Sequence, residues 1–167
     1  MSNKTLIIGH EKVKQKTERI AYEIVENNFE EELIIVGIAK RGHLFAKMLF
    51  DKVSAISQQK VSLASIEPNK DDVFDESAIK FSGQLEDLDG KTVIVVDDVL
   101  NSGLTLMYAV RHLLKAKIKK MNTAVLVDRR HRSYPIRADF AGMTLSTTLQ
   151  EHIAVDFEND EVNVYLV

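Results

Sequence analysis

The chain has 167 residues, a length that favours one domain and allows roughly two thirds of the unfolded surface to be buried. Hydrophobic residues make up 45% and charged residues 28%, the balance of a globular protein rather than a disordered or fibrous one. The 22 Lys and Arg against 25 Asp and Glu give a net charge of -3, which disfavours a surface devoted to nucleic acid but permits a local basic patch, and the absence of cysteine excludes disulfides, thiolate nucleophiles and Cys-ligated metals.

No apolar run approaches the roughly 18 residues of a membrane span, and the first residues, MSNKTLIIGHEKVK, lack a signal-peptide core, so the expected location is cytoplasmic with no membrane partner. From Glu11 to about Asn28, the spacing of Val13, Ile20, Ala21, Ile24 and Val25 predicts an amphipathic helix. Leu33 to Ile38 is a short apolar run of the kind buried on both faces of a parallel sheet. Helical spacing resumes at Leu44, Phe45, Met48 and Leu49 and reaches about Lys52. Val61 to Ile66 and Thr92 to Val96 read as strands, Leu104 to Ala116 as a helix, and Ala124 to Val127 as a further buried strand. Alternating strands and helices predict one α/β domain over 1–167, with a mainly parallel twisted sheet flanked by helices. Between them, Glu67 to Asp89 is acidic and poor in apolar anchors, which predicts a long functional or mobile loop. The tail carries two β-like pieces, Ile153 to Phe157 and Val162 to Val167, around a turn at Glu158, Asn159 and Asp160.

Open parallel sheets bind ligands at the carboxyl ends of their strands. After Val93 to Val96 come Asp97, Asp98, Val99, Leu100, Asn101, Ser102, Gly103, Leu104 and Thr105, at the start of a helix. Free backbone N–H groups, the Ser102 and Thr105 hydroxyls and a glycine that permits close approach suit a monophosphate. The two carboxylates suit ribose hydroxyls or a hydrated magnesium ion. Taken singly, each has a plainer reading: a solvated strand end, or a helix N-cap at Ser102. The common nucleotide signatures G-x-x-x-x-G-K-S/T and G-x-G-x-x-G are both absent.

The segment VIVVDDVLNSGLT, Val93 to Thr105, resembles the phosphoribosyl pyrophosphate (PRPP) signature of type I phosphoribosyltransferases. Thr17 to Asn28, Val36 to Leu49 and Leu126 to Gly142 (LVDRRHRSYPIRADFAG) resemble their counterparts in the pyrimidine-operon regulator family, PyrR, whose members are uracil phosphoribosyltransferases, many of them also binding leader RNA. The resemblance implies the type I phosphoribosyltransferase fold with a small hood and a flexible loop. It implies transfer of the 5-phosphoribosyl group of PRPP to a nucleobase, uracil in this branch, with Mg2+ as cofactor in a homo-oligomer, a dimer or higher.

By the same resemblance, Asn101, Ser102, Gly103, Leu104 and Thr105 hold the 5-phosphate. Asp97 and Asp98 hold the ribose hydroxyls and, indirectly, the metal. Lys40, Arg41 and Gly42, in the turn after the first buried strand, hold pyrophosphate, with Arg41, Asp97 and Asp98 catalytic. Ala138 to Gly142 forms the hood, in which Phe140 covers the base and Ala141 reads its polar edge. The segment Glu67 to Phe81 closes over the site, with Lys70 and Lys80 as its only cations.

Two departures from related motifs bear on function. Asn101 stands where purine enzymes of this superfamily carry an aspartate general base, and an amide takes no proton at neutral pH, which favours a pyrimidine. Arg129, Arg130, His131, Arg132 and Arg137 form a compact basic cluster suited to RNA phosphates, whereas Glu18, Tyr22, Asn27 and Met143 replace the more basic or polar residues of RNA-binding relatives. An RNA-binding regulator with little turnover, or a transferase for another base, are the alternatives.

Overall fold

The computed structural model describes residues 4–29, 31–69 and 71–167. Nine strands are named in chain order among them, and six form the main sheet. β2 (Leu33–Ile38), β3 (Val61–Glu67), β5 (Thr92–Leu100), β6 (Lys120–Asp128) and β7 (Phe140–Thr144) run parallel, and β4 (Lys80–Phe81) closes one edge antiparallel to β3. The spatial order is β4-β3-β2-β5-β6-β7, so the chain turns back at the centre, between β2 and β5. A crevice at this reversal is the expected ligand position in a doubly wound sheet.

Alternation along the central strands builds two cores. Leu33 and Ile35 of β2, with Ile94 and Val96 of β5, face α1 (His10–Asn27) and α2 (Ala39–Ile56), meeting Ile20, Ile24, Phe45 and Leu49. Ile34, Val36, Val93 and Val95 face the other way onto α3 (Leu104–Leu113), through Leu106, Ala109 and Leu113. Because both faces are covered, β2 is buried at all six positions, which is why its sequence is an unbroken apolar run.

The remaining strands form a three-stranded antiparallel sheet in the order β1-β9-β8, from β1 (Thr5–Ile8), β8 (Ile153–Glu158) and β9 (Glu161–Leu166). Asn159 and Asp160 both take positive φ, 53° and 61°, the two-residue turn whose twist matches a β-hairpin. Ile8, Val155, Val162 and Val164 join the core under α1 and α2, so the small sheet leans on that layer.

Four expectations are corrected. The Lys40 turn is no separate loop: α2 begins at Ala39, directly after β2, so Lys40, Arg41 and Gly42 occupy its first turn, and Ala39 takes a left-handed φ of 52° to make the join. Asp97 to Leu100 continue β5, because β6 keeps pairing with them as far as Leu100 with Asp128. The segment from Glu67 to Asp89 contains β4 and two short 3-10 turns, at Glu76–Ala78 and Leu85–Leu88, and it is anchored on α3. Phe74 meets Tyr108 edge-on at 5.4 Å, and Glu76 Oε1 lies 3.1 Å from Arg111 Nε. Lys70, one of the two cations assigned to this segment, lies outside the described residues. Finally, Phe140 to Gly142, expected in a hood, belong to β7, the edge strand of the main sheet, while the small sheet brings Ile153 to the cavity wall.

Candidate active site

A cavity of about 410 Å³ opens at the carboxyl ends of β2 and β5. Its walls are the first turn of α2 with Lys40, Arg41 and Gly42, the acidic pair Asp97 and Asp98, the turn from Asn101 to Thr105, and Ile153 at the start of β8. β2 and β5 are hydrogen-bonded neighbours, so residues distant in sequence reach one cleft through strand register alone.

Gly42 is needed for that closeness. A Cβ there would lie 2.8 Å from Asp97 Oδ1 and 3.1 Å from the Val96 carbonyl oxygen, so only glycine lets α2 begin against the acidic pair. No side chain caps α2, and the N–H groups of its first turn remain donors beside the exposed Lys40 and Arg41, a combination suited to a polyanion. Asp97 Oδ1 accepts from the Asp98 N–H at 2.9 Å. Burial pushes the Asp97 carboxyl well above the usual carboxylate range, and the neighbouring Asp98 charge raises it further. A cation, or hydroxyl groups that donate to the carboxylate, would favour its ionised form.

The turn after β5 has the shape of an anion cradle. Gly103 adopts φ 90°, open to glycine and strained for other residues, and a Cβ there would meet Ile136 Cγ2 at 2.6 Å. The Leu104 N–H donates to Ser102 Oγ at 3.3 Å, which tightens the turn at the entry to α3. The Ser102 carbonyl is engaged from behind by the Ser133 and Tyr134 N–H groups at 2.9 and 3.2 Å, so the segment after β6 holds the cradle in place.

Comparison with known proteins places the chain in a family. The phosphoribosyl transferase domain family matches residues 7–161. The chain belongs to that family. Among curated relatives, this phosphoribosyltransferase is 40% identical to the Bifunctional protein PyrR of Brevibacillus brevis over 171 residues, covering 98% of this chain and 94% of the other. It is 35% identical to the Bifunctional protein PyrR of Clostridium acetobutylicum over 176 residues, covering 99% of each, so within the phosphoribosyltransferases it belongs with PyrR. Among solved structures, a hypoxanthine-guanine phosphoribosyltransferase from Bacillus anthracis superposes with a TM-score of 0.72 at 23% identity, over 87% of this chain and 85% of that one. A hypoxanthine phosphoribosyltransferase from Staphylococcus aureus gives 0.72 at 16% identity, over 87% and 80%. At these identities the likeness concerns the fold, the α/β fold of type I phosphoribosyltransferases.

The phosphoribosyltransferase cleft thus brings together Lys40, Arg41, Gly42, Asp97, Asp98 and the residues from Asn101 to Thr105. It does not include Phe140 or Ala141. Phe140 is 6% exposed in the core facing α1, and it pairs with Ala124 below the strand ends. The Ala141 carbonyl, which was to read the base, accepts instead from Arg19 Nη2 at 2.6 Å. An edge strand has spare carbonyls, and here a helix side chain takes them. Of the basic cluster, Arg130, Arg132 and Arg137 are exposed, whereas Arg129 is 6% exposed and His131 turns inward to the Thr147 carbonyl at 2.6 Å.

Sequence reasoning missed Ile153 as an apolar wall of the cleft. An isoleucine opening a short strand near the chain end carries no local signal of ligand contact; only the packing of the small sheet reveals it.

Proposed function

We propose that this phosphoribosyltransferase converts PRPP and uracil to uridine 5-monophosphate (UMP) and pyrophosphate. The observation carrying the reading is that one cleft holds a phosphate cradle, an acidic pair and a basic helix start. In this reading the ribose is held at both ends: the cradle from Asn101 to Thr105 takes the 5-phosphate, Asp97 and Asp98 take the 2- and 3-hydroxyls, and the first turn of α2 takes the pyrophosphate. The C1–oxygen bond breaks with its electron pair leaving on pyrophosphate, N1 of uracil bonds to C1, and the N1 proton passes to the departing pyrophosphate or to water. Arg41 and Lys40 stabilise charge that grows on the leaving group in the transition state.

No cluster of three His, Asp or Glu side chains able to cage a metal occurs among the described residues. Two adjacent carboxylates beside a pyrophosphate site nevertheless fit Mg2+, which takes most of its ligands from substrate oxygens and water. When bound, it would neutralise the leaving group.

The pyrimidine assignment draws on Asn101. Its Oδ1 accepts from the buried Arg129 Nη1 at 2.8 Å, so the amide nitrogen, a donor and never a base, is the end left for a ligand. Relatives named Bifunctional protein PyrR point the same way.

Mixing the protein with PRPP, Mg2+ and uracil, cytosine, hypoxanthine or guanine tests the reading. The expected result is pyrophosphate and UMP with uracil alone; a purine nucleotide as main product overturns the base assignment. The exposed Arg130, Arg132 and Arg137 on the β6-to-β7 connection favour a second activity, binding to RNA. Titrations of pyrimidine leader RNA over a salt series should then show affinity falling steeply with salt, and salt-independent binding would count against phosphate contacts.

A further inference from the structure

Arg129 is the one buried arginine among the described residues, 6% exposed, and no carboxylate forms an ion pair with it there. The buried guanidinium is satisfied mainly by oriented dipoles, with the Glu151 carboxylate close enough to feel its charge. Nη1 donates to Asn101 Oδ1 at 2.8 Å. Nε and Nη2 form a fork on Thr147 Oγ1 at 3.0 and 2.9 Å, and Nη2 also donates to the Glu151 carbonyl. The backbone continues the link, because the Arg129 N–H donates to the Leu100 carbonyl at 3.1 Å.

The two sets of partners belong to different parts of the cleft. Asn101 opens the phosphate cradle. Thr147 and Glu151 belong to the segment that leads into Ile153, the apolar wall. That segment is tightened further: Glu151 Oε2 accepts the Thr148 N–H at 2.8 Å, and His131 Nε2 meets the Thr147 carbonyl at 2.6 Å. With its Nε2 proton given to that carbonyl, His131 Nδ1 is left to accept from Arg129 Nη2 at 3.4 Å.

We propose that Arg129 is a positioning residue that fixes the spacing between the phosphate cradle and the base-side wall by bridging Asn101 to Thr147 and Glu151. It touches no reacting atom. It ties together two walls that the main sheet and the small sheet bring to the same cleft. The inference rests on the reading of the cleft as a nucleotide site.

Calorimetric titration separates the two ideas. Ribose 5-phosphate reaches the cradle and the acidic pair, whereas UMP also reaches the wall. The ratio of their dissociation constants is therefore the readout. In Arg129→Lys, which keeps the charge and loses the fork, and in Thr147→Val, which keeps the shape and loses the hydroxyl, the preference for UMP over ribose 5-phosphate is expected to fall about tenfold, the size of coupling usual between groups in one network. Ribose 5-phosphate alone should change by less than about threefold. In Arg129→Ala, millimolar guanidinium chloride should restore part of the preference. An unchanged preference in Thr147→Val and Arg129→Lys overturns the proposal, even if their melting temperatures fall, since a purely structural role lowers stability without moving the ratio. If the arginine variants do not fold, Thr147→Val decides. Failure of the unmodified protein to bind either ligand overturns the nucleotide-site reading itself.

Discussion

Asp98→Asn is expected to lower kcat/KM for PRPP by about two to four orders of magnitude, the usual cost of replacing an oriented charged group in a pre-organised site by its neutral isostere. The fold should survive, because Asp98 is half-buried at the rim of the cleft and the substitution keeps its shape. Steady-state rates within threefold of the parent protein would remove the acidic pair from the mechanism.

Asp97→Asn should cost comparable activity and carry a second signature. Burial and the Asp98 charge raise the Asp97 pKa in the folded protein above its ordinary value. The folded state therefore holds this proton more tightly than the unfolded chain does. The resulting stability is complete below the ordinary carboxylate pKa and is lost as pH rises through the raised one. Above that window, the native protein keeps a carboxylate ionised in an unfavourable place, and asparagine removes the penalty. Thermal melts without Mg2+ should show Asp97→Asn more stable than the parent at pH 7 to 8, with the difference vanishing towards pH 4. A difference independent of pH would sink the explanation. Catalytic capacity is thus bought here with stability.

The second large effect is expected at Gly103. Valine there faces two obstacles: a φ of 90° that β-branched residues avoid, and Ile136 Cγ2 at 2.6 Å from the new Cβ. The turn must move by a fraction of an ångström or more, and its N–H groups then no longer converge on one point. Affinity for ribose 5-phosphate should fall about a hundredfold, since displacements of this size in a positioning element cost that much. Gly103→Ala should fall by less, because the strain remains while the bulk is smaller. Equal affinity in both variants and the parent would mean that the turn merely ends β5.

Much of this was legible in the sequence, for reasons that can be named. β2 throughout and β5 as far as Val96 are buried on both faces, so their apolar runs are unmistakable. The segment from Asp97 to Thr105 is local: one strand end, one turn and one helix start, all in consecutive residues. The placement of Phe140 and Ala141 was less legible, because it is not local. Phe140 resembles a ring waiting for a base, yet parallel pairing of β7 with β6 places it opposite Ala124, beneath the strand ends. The arginines from Arg129 onward looked alike in sequence. Only the fold divides them, through the left-handed turn at Arg130, φ 58°, which sends Arg129 inward and leaves Arg130 in solvent. The anchoring of the acidic segment on α3 was hidden for the same reason, since Phe74 finds Tyr108 and Glu76 finds Arg111 across a long sequence separation.

The small sheet has an implication for how the molecule is made. β9 is its central strand, with β1 on one side and β8 on the other, and Thr5 pairs with Leu166. During synthesis at roughly 5–20 residues per second, β1 emerges first and stays without a partner while every strand of the main sheet is produced. The helices and the phosphate cradle need no residue of β8 or β9 for their backbone pairing, so they can form early on the ribosome. Leu6, Ile7 and Ile8 meanwhile remain an unpaired apolar edge, the kind of segment that recruits chaperones or neighbouring nascent chains. Completion of β9 seals that edge and, in the same step, brings β8 and Ile153 to the cleft. In chain order, the turn from Asn101 to Thr105 is thus complete before β8 and Ile153, which close the cleft, have been made.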